Sequence, residues 1–541
     1  MARKIRKLLV ANRGEIAIRI FRAADELGLA NVAIYSREDR FALHRFKAEE
    51  AYLVGRGKDP VQAYLEIEEI VRVASDVGVD AIHPGYGFLS ENPDLATACE
   101  AEGILWIGPP PAVMEELGDK VSARTLAERA GVPVMPATEP LTDDEVEIEQ
   151  LADGVGFPLM IKASWGGGGR GMRVVRDPSA LLAEVAAARR EARAAFGRDD
   201  VFLERLVERA RHLEVQILAD QSGEVVHLYE RDCTVQRRHQ KVVERAPAAA
   251  LDPAIREELC QAAVAVAHEA GYRNAGTVEF LQDLDSGHFF FIEVNPRIQV
   301  EHTVTEVVTG VDLVKAQIRV AEGALIGTPQ SGVPAQADIR CNGYALQCRV
   351  TTEDPENDFI PDYGRIMTKR EATGFGIRLD GGTSHVGAVV TPSYDSLLEK
   401  ITAWAPTPEE VVARMSRALR EYRIRGVKTN LLFLNALITH PRFRSGEITT
   451  RFIDESPELF DYAPRQDRGT RLLAFVGEVL VNGNPAVEGQ PDPGALAPAP
   501  LPGVPHRPRL QPGTRGLLKE LGPEGFARWM RDQDRLLLTD T

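Results

Sequence analysis

The side chains that could do chemistry in this chain sit in a few short stretches. Gly166-Gly167-Gly168-Gly169-Arg170-Gly171 fits G-x-G-x-x-G. A dinucleotide fingerprint needs a strand before those glycines and a helix after them, whereas here both flanks, 159–164 and 172–175, read as strands. The spacing therefore predicts a hairpin tip whose bare backbone N–H groups can fold over phosphate oxygens. Lys162, just before it, adds a point charge for the same anion. Residues 277–295 read as a second hairpin, with Asp285-Ser286-Gly287 as a three-residue loop and Gly287 left-handed. Centring that turn on Ser286 sets Glu279 opposite Glu293, with Asn295 on the same face by strand parity. Opposed carboxylates about 5 Å apart repel unless a hard divalent cation sits between them, bridged to nucleotide phosphates. Phe289 and Phe291 share the parity of Glu293, so that face is expected to be partly apolar.

Two polar stretches extend the candidate site. In 297–302, Glu301 offers a base and Arg297 a fixed cation, a combination suited to a small anion that must lose a proton. The run 236–241 is strongly cationic and reads equally as a solvated face or as part of the same site. His239 and His302 are not expected to be metal ligands.

The elements that must position these groups fall into three blocks. Up to about Gly118 the text alternates strand and helix, with strands at 7–11, 31–35, 80–83 and 104–107. One helix carries Ile16, Ile20, Ala24 and Leu27 on one face and stops at Gly28, a βαβ pattern that predicts a parallel sheet. From there to Gly323 the pattern is α+β: strand pairs at 159–164 and 172–175, 213–218 and 225–230, 277–281 and 289–294, with helices at 180–196 and 312–321. A β-rich third block runs from Ala337 to about Ala463, with strands at 343–350, 364–367 and 376–379 and helices starting at Pro408 and Lys428. Residues 485–512 are rich in Pro, Gly and Ala and read as a linker, followed by a helical pattern over 513–533. The last residues read as the opening of a buried strand, so the sequence is expected to be a fragment of a longer chain.

Composition narrows the class. The 541 residues carry a net charge of −16 and are 44% hydrophobic and 27% charged. That balance supports several packed cores and argues against a coat for nucleic acid or anionic membrane. No run approaches the about 18 apolar residues of a membrane span, and the basic start lacks a secretory apolar region, so a cytoplasmic enzyme is expected. Five scattered cysteines without a C-x-x-C pair exclude a disulfide framework or structural zinc.

Several of these stretches match a known family. Leu9-Val10-Ala11-Asn12-Arg13-Gly14-Glu15-Ile16-Ala17, His83-Pro84-Gly85-Tyr86-Gly87-Phe88-Leu89-Ser90-Glu91-Asn92, the glycine loop, 230–244 and 291–306 resemble biotin carboxylase, the ATP-grasp component of biotin-dependent carboxylases, over about residues 5–460. Residues 361–366, 376–382, 522–527 and 536–541 resemble more specifically its pyruvate carboxylase branch, in which the tail leads into a carboxyltransferase barrel. The resemblance implies an α/β and α+β protein. A Rossmann-like N-terminal subdomain would span 1–118, an ATP-grasp domain 119–334 with a glycine-rich lid at about 135–205, and a β-rich C-terminal subdomain 335–463. A linker and allosteric region, 464–541, would lead to a carboxyltransferase domain not in this sequence.

The resemblance also assigns roles. Lys120, Lys162, His212, Gln236, His239 and the loop glycines Gly167, Gly168 and Gly169 would contact ATP, with Glu204 and Val207 near the adenine. Glu279 and Glu293, with Asn295 beside them, would hold Mg2+ or Mn2+. Arg297, Gln299 and Val300 would hold bicarbonate, and Glu301 would be the general base. Lys241, Arg349 and Tyr86 would surround biotin, delivered on a carrier domain that this sequence lacks. Arg423, Arg425 and Arg468 would serve an acetyl-CoA effector. Trp165 departs from the family pattern, which often has a further glycine there. The implied reaction is carboxylation of biotin through carboxyphosphate, the first half-reaction of pyruvate conversion to oxaloacetate, in a homo-oligomer with no nucleic-acid or membrane partner. The competing enzyme reading is the biotin carboxylase subunit of an acyl-CoA carboxylase, which normally ends near Tyr462. A non-catalytic nucleotide-binding module would be expected to have lost Glu293, Arg297, Glu301 or Lys241, and all four are present.

Overall fold

The alternating strands and helices of the amino-terminal block close into a parallel sheet in the computed structural model, which describes residues 4–164, 172–382, 384–461 and 468–482. Its strands are β1 (Lys7–Val10), β2 (Ala30–Tyr35), β3 (Glu50–Leu53), β4 (Ala81–His83) and β5 (Leu105–Trp106), in the order β3-β2-β1-β4-β5 and parallel throughout. Four of these strands were expected. β3 was not, because its four residues are all half-buried and show no alternation. The helix Gly14–Glu26 buries Ile16, Ile20 and Ala24 against the sheet and ends before Gly28, whose φ of +71° only glycine adopts freely.

β6 (Leu159–Ala163), β7 (Arg173–Val175) and β8 (Val201–Arg205) make a small antiparallel sheet in the order β7-β6-β8. The helix Leu181–Phe196 covers it with Leu181, Val185, Ala188 and Ala192. Gly167, Gly168, Gly169 and Trp165 lie outside the described residues.

The largest element is an eight-stranded antiparallel sheet. It comprises β9 (Ala210–Ala219), β10 (Val225–Arg237), β11 (Gln240–Ala246), β12 (Asn274–Asp283), β13 (Phe289–Asn295), β14 (Tyr344–Thr351), β15 (Ile377–Gly381) and β16 (Leu397–Ala405), in the order β13-β12-β9-β10-β11-β14-β16-β15. Pairing of β11 with β14, Val243 opposite Cys348, carries the sheet across residue 335 without interruption. Side chains alternate faces along each strand. Leu213, Val215 and Ile217 of β9 and Val278 and Phe280 of β12 point to one face and pack with Leu259, Ala263 and Val266 of the helix Pro253–Glu269. Fully buried residues such as Leu213 each contribute roughly 1.5–3 kcal/mol. The opposite face of the same two strands carries His212, Glu214, Gln216, Thr277 and Glu279, all buried.

Residues 1–464 form one compact unit and 465–541 a second. Described within the second is the helix Arg468–Asn482, which the sequence pattern did not reveal; the expected linker and the helix at 513–533 lie outside the described residues. All five cysteines are free thiols. Among the described residues no helix is long and apolar enough to cross a membrane.

Candidate active site

The hairpin of β12 and β13 sets Glu279 directly opposite Glu293, as expected, but by a different route. Its loop is one residue longer than the sequence implied: Asp283 N–H donates to His288 O, and Gly287, at φ +77°, donates to Asp283 O. That shift alone would misplace the pair. A β-bulge corrects it, since Glu279 faces Glu293 while Phe280 faces Phe291, leaving Ile292 as the extra residue. The bulge also flips the aromatic residues. Phe289 and Phe291 turn into the core against Phe280, so the expected apolar contribution to the Glu293 face is absent.

Lys241 is the hub of the site. The two-residue tip between β10 and β11, Arg238 and His239, takes left-handed φ values of +48° and +63°, the geometry of a tight hairpin turn. Arg237 and Arg238 pair outward with Asp358, whereas Lys241 points inward. Its ammonium lies 2.5 Å from Glu214 Oε2, 2.7 Å from Glu279 Oε1 and 2.8 Å from Glu301 Oε1, and donates to Gln299 Oε1 at 3.3 Å. Burial disfavours that charge, but the three carboxylates hold the Lys241 pKa well above its ordinary value.

Each carboxylate has a further partner. Glu301, which precedes the helix His302–Thr309, accepts from Arg349 NH2 at 2.9 Å through its second oxygen. Burial would raise its pKa, yet Lys241, Arg349 and Arg231 together hold it well below the usual carboxylate range, so Glu301 is ionised. Arg349 Nε also donates to Glu244 at 2.5 Å, and Glu244 accepts from Gln347. Glu279 accepts from Asn295 and Gln299 and lies 3.1 Å from His212 Nε2. Glu214 rests on Arg231, a wholly buried arginine that also donates to Gln216, Thr277 and Thr305.

Around this hub lie the remaining expected residues. Lys120 Nζ is 3.2 Å from Glu293, so a cation marks the far side of the carboxylate pair. Arg297 donates to Asn295 Oδ1 and to Glu91. Lys162 pairs with Glu204 across β6 and β8. Gln236 is turned back onto Cys233 O. Val207 lies in the connection between β8 and β9, and His239 is exposed at its hairpin tip. Arg423 and Arg425 are not part of the hub; they lie on a short strand, Arg423–Arg425, paired with Thr368–Arg370. The side chain of Arg468 lies outside what is described. Glu214, Arg231, Glu244 and Glu91 went unassigned in the sequence. Glu214 was legible in principle: His212, Glu214 and Gln216 are polar at a spacing of two and alternate with the apolar Leu213, Val215 and Ile217. A groove of about 460 Å3 beside Gly131, Ile255, Gln261 and Phe289 shares no residue with this cluster.

Three family models tile the chain: "Biotin carboxylase, N-terminal domain" over residues 4–114, "Carbamoyl-phosphate synthase L chain, ATP binding domain" over 119–328 and "Biotin carboxylase C-terminal domain" over 347–455. The biotin carboxylase domain of Hydrogenobacter thermophilus 2-oxoglutarate carboxylase, solved with MgADP and bicarbonate, is 46% identical with a TM-score of 0.82, and the match covers 85% of this chain and 100% of that one. The chain belongs to the biotin carboxylase family. Its fold class is accordingly that of the biotin carboxylase ATP-grasp structures, with the parallel and large antiparallel sheets described above. Pyruvate carboxylase of Bacillus subtilis is 53% identical over 99% of this chain and 46% of its own length. Pyruvate carboxylase of Rhizobium etli, solved with acetyl coenzyme A, is 60% identical with a TM-score of 0.84, covering 98% of this chain and 47% of that one. The chain thus spans about half the length of the curated pyruvate carboxylases it matches.

Proposed function

We propose that this biotin carboxylase uses ATP to carboxylate biotin with bicarbonate, and that the full protein passes the carboxyl group to pyruvate. One observation carries the reading: a buried, ionised Glu301 gripped between Lys241 and Arg349, beside the Glu279–Glu293 pair. A bicarbonate oxygen attacks the γ-phosphorus of ATP, the bond to ADP breaks, and Glu301 accepts the bicarbonate proton as carboxyphosphate forms. Arg297 supplies a fixed charge for the anion, with Gln299 and Val300 beside it. Lys120, Lys162 and His212 serve the nucleotide, together with Gln236, His239, Glu204 and Val207. Carboxyphosphate then yields carbon dioxide and phosphate, the phosphate takes the ureido proton of biotin, Arg349 stabilises the ureido oxyanion, and the ureido nitrogen bonds to the carbon of carbon dioxide to give carboxybiotin. Tyr86 and Lys241 border that acceptor.

The donor set fits a hard divalent cation. Glu279, Glu293 and Asn295 offer oxygen ligands from adjacent strands, and these would hold Mg2+ or Mn2+. Such an ion neutralises phosphate charge when bound. Similarity to pyruvate carboxylases, which continues past residue 464 to cover 99% of this chain, favours pyruvate over an acyl-CoA as the final acceptor. The same likeness supports a biotin carrier domain as partner, a homo-oligomeric assembly, and an acetyl-CoA effector acting through Arg423, Arg425 and Arg468.

The test is ATP cleavage measured with and without bicarbonate and free biotin. Bicarbonate dependence and acceleration by biotin are expected, and Glu301→Gln should lower the accelerated rate by about 10²–10⁴-fold. Equal rates with and without biotin in the wild-type chain would sink this reading.

A further inference from the structure

Three stretches far apart in sequence, around Glu15, Tyr86 and Val300, converge on one lysine that none of them contains. Lys400 lies on β16 with its side chain wholly buried. Its ammonium donates to the carbonyl of Val300 at 3.0 Å and pairs with Glu15 Oε1 at 3.0 Å. The Tyr86 phenol donates to that same oxygen of Glu15, and the Lys400 ammonium sits 5.8 Å from the centre of the Tyr86 ring. Among the described residues, the other oxygen of Glu15 is buried with no hydrogen-bond partner. The chain leaving β15 presses on this corner so closely that a Cβ at Gly382 would come within 2.4 Å of Glu15 N.

A charge this deep is costly to bury even when paired, and an apolar side chain of equal volume would often be as stable, so what the lysine adds is its hydrogen bonds. Here the distinctive act is donation to the Val300 carbonyl. That carbonyl belongs to the peptide leading into Glu301, whose backbone (φ −84°, ψ 6°) starts the helix His302–Thr309. Holding the peptide plane from β16 fixes where the Glu301 carboxylate emerges, between Lys241 and Arg349.

We propose that Lys400 is a positioning residue for biotin carboxylation: it orients the Val300–Glu301 peptide and, through Glu15, ties the setting of the base to that of Tyr86 at the biotin side. The proposal rests on the reading of Glu301 as the base. It accounts for the meeting of three motifs at a residue that touches no reacting atom.

The test uses the full chain and the variants Lys400→Met and Glu15→Gln. It reads kcat and KM for bicarbonate-dependent ATP cleavage and amide hydrogen exchange across residues 296–304. Lys400→Met is expected to lower kcat by up to about 100-fold with the KM for ATP unchanged, and to speed exchange across 296–304 but not across β9. Glu15→Gln, which keeps the volume and serves if Lys400→Met does not fold, is expected to raise the KM for free biotin and to speed the same exchange. Exchange across 296–304 that matches wild type in a folded variant overturns the proposal. So does a wild-type kcat in Lys400→Met. A wild-type chain that cleaves no ATP with bicarbonate defeats the base assignment instead, and the exchange measurement still decides whether Lys400 holds the loop.

Discussion

A lysine ringed by three carboxylates is tolerable in a protein interior only because each carboxylate is held from its other side. Arg231 does this for Glu214, Arg349 for Glu301, and His212 with Asn295 and Gln299 for Glu279. Removing one cation therefore strands a buried anion, which costs more than the pair contributes. Arg231→Met should destabilise the protein by about 3–5 kcal/mol, measured by urea unfolding, although Arg231 reaches no substrate position. Adding Glu214→Gln should recover part of that loss, because the two groups are coupled. If the two costs simply added, Arg231 would be an ordinary core residue and the alternating charge network would have no energetic meaning. Glu279 and Glu301, both held below the ordinary carboxylate range, support folding above that range and lose their contribution as pH falls through their own low values.

Among the sheet elements, β16 carries a group of opposite sign. Glu399, opposite Gly381 of β15, is pushed up to about 7 by burial, against the pull of Lys369 at 3.1 Å. Between pH 4.5 and 7 the folded protein keeps this proton while the unfolded chain has released it. The stability it lends is complete below that window and is lost as pH rises through it. Glu399→Gln should therefore flatten the fall in unfolding free energy over that range and stabilise the protein at pH 8 by up to about 3 kcal/mol; an unaltered slope in chemical denaturation at pH 5 and 8 would refute the assignment. Legibility in sequence also divides by element. The parallel sheet, the helix Gly14–Glu26 and the hairpin pairs follow from periodicity and turn residues, because local pattern sets them. The pairing of Glu279 with Glu293 was readable only through two offsetting features, a longer loop and the bulge at Ile292, since loop length and bulges depend on packing that no short window contains. Arg231 and Lys400 gave no signal: each stands beside other charges, Arg231 between Glu230 and Asp232 and Lys400 after Glu399, and such a run is indistinguishable from a solvent-facing one until its neighbours in space are known.

For the molecule as a whole, the division near residue 464 has a measurable consequence. Among the described residues, every cluster of buried apolar side chains lies before it, ending with Leu459, and so do Lys241, Glu279, Glu293, Glu301, Arg349 and Lys400. The Hydrogenobacter domain, solved as a dimer, aligns over its whole length with 85% of this chain. A chain ending at Pro464 should therefore stay soluble and melt within about 1–2 °C of the full chain, a change of about 1–2 kcal/mol at the unfolding entropy of a chain this long. It should keep biotin-accelerated ATP cleavage, because no group assigned to that chemistry is removed. An acetyl-CoA effect on the rate, if the full chain shows one, should weaken, because Arg468 is lost while Arg423 and Arg425 remain. Melting and rate measurements on the two chains decide the matter. A truncated protein that aggregates would mean that residues beyond 464 support the fold; one that loses bicarbonate-dependent turnover while remaining folded would mean that they complete the site, and the hub built on Lys241 could not then be the whole of the catalytic apparatus in this chain.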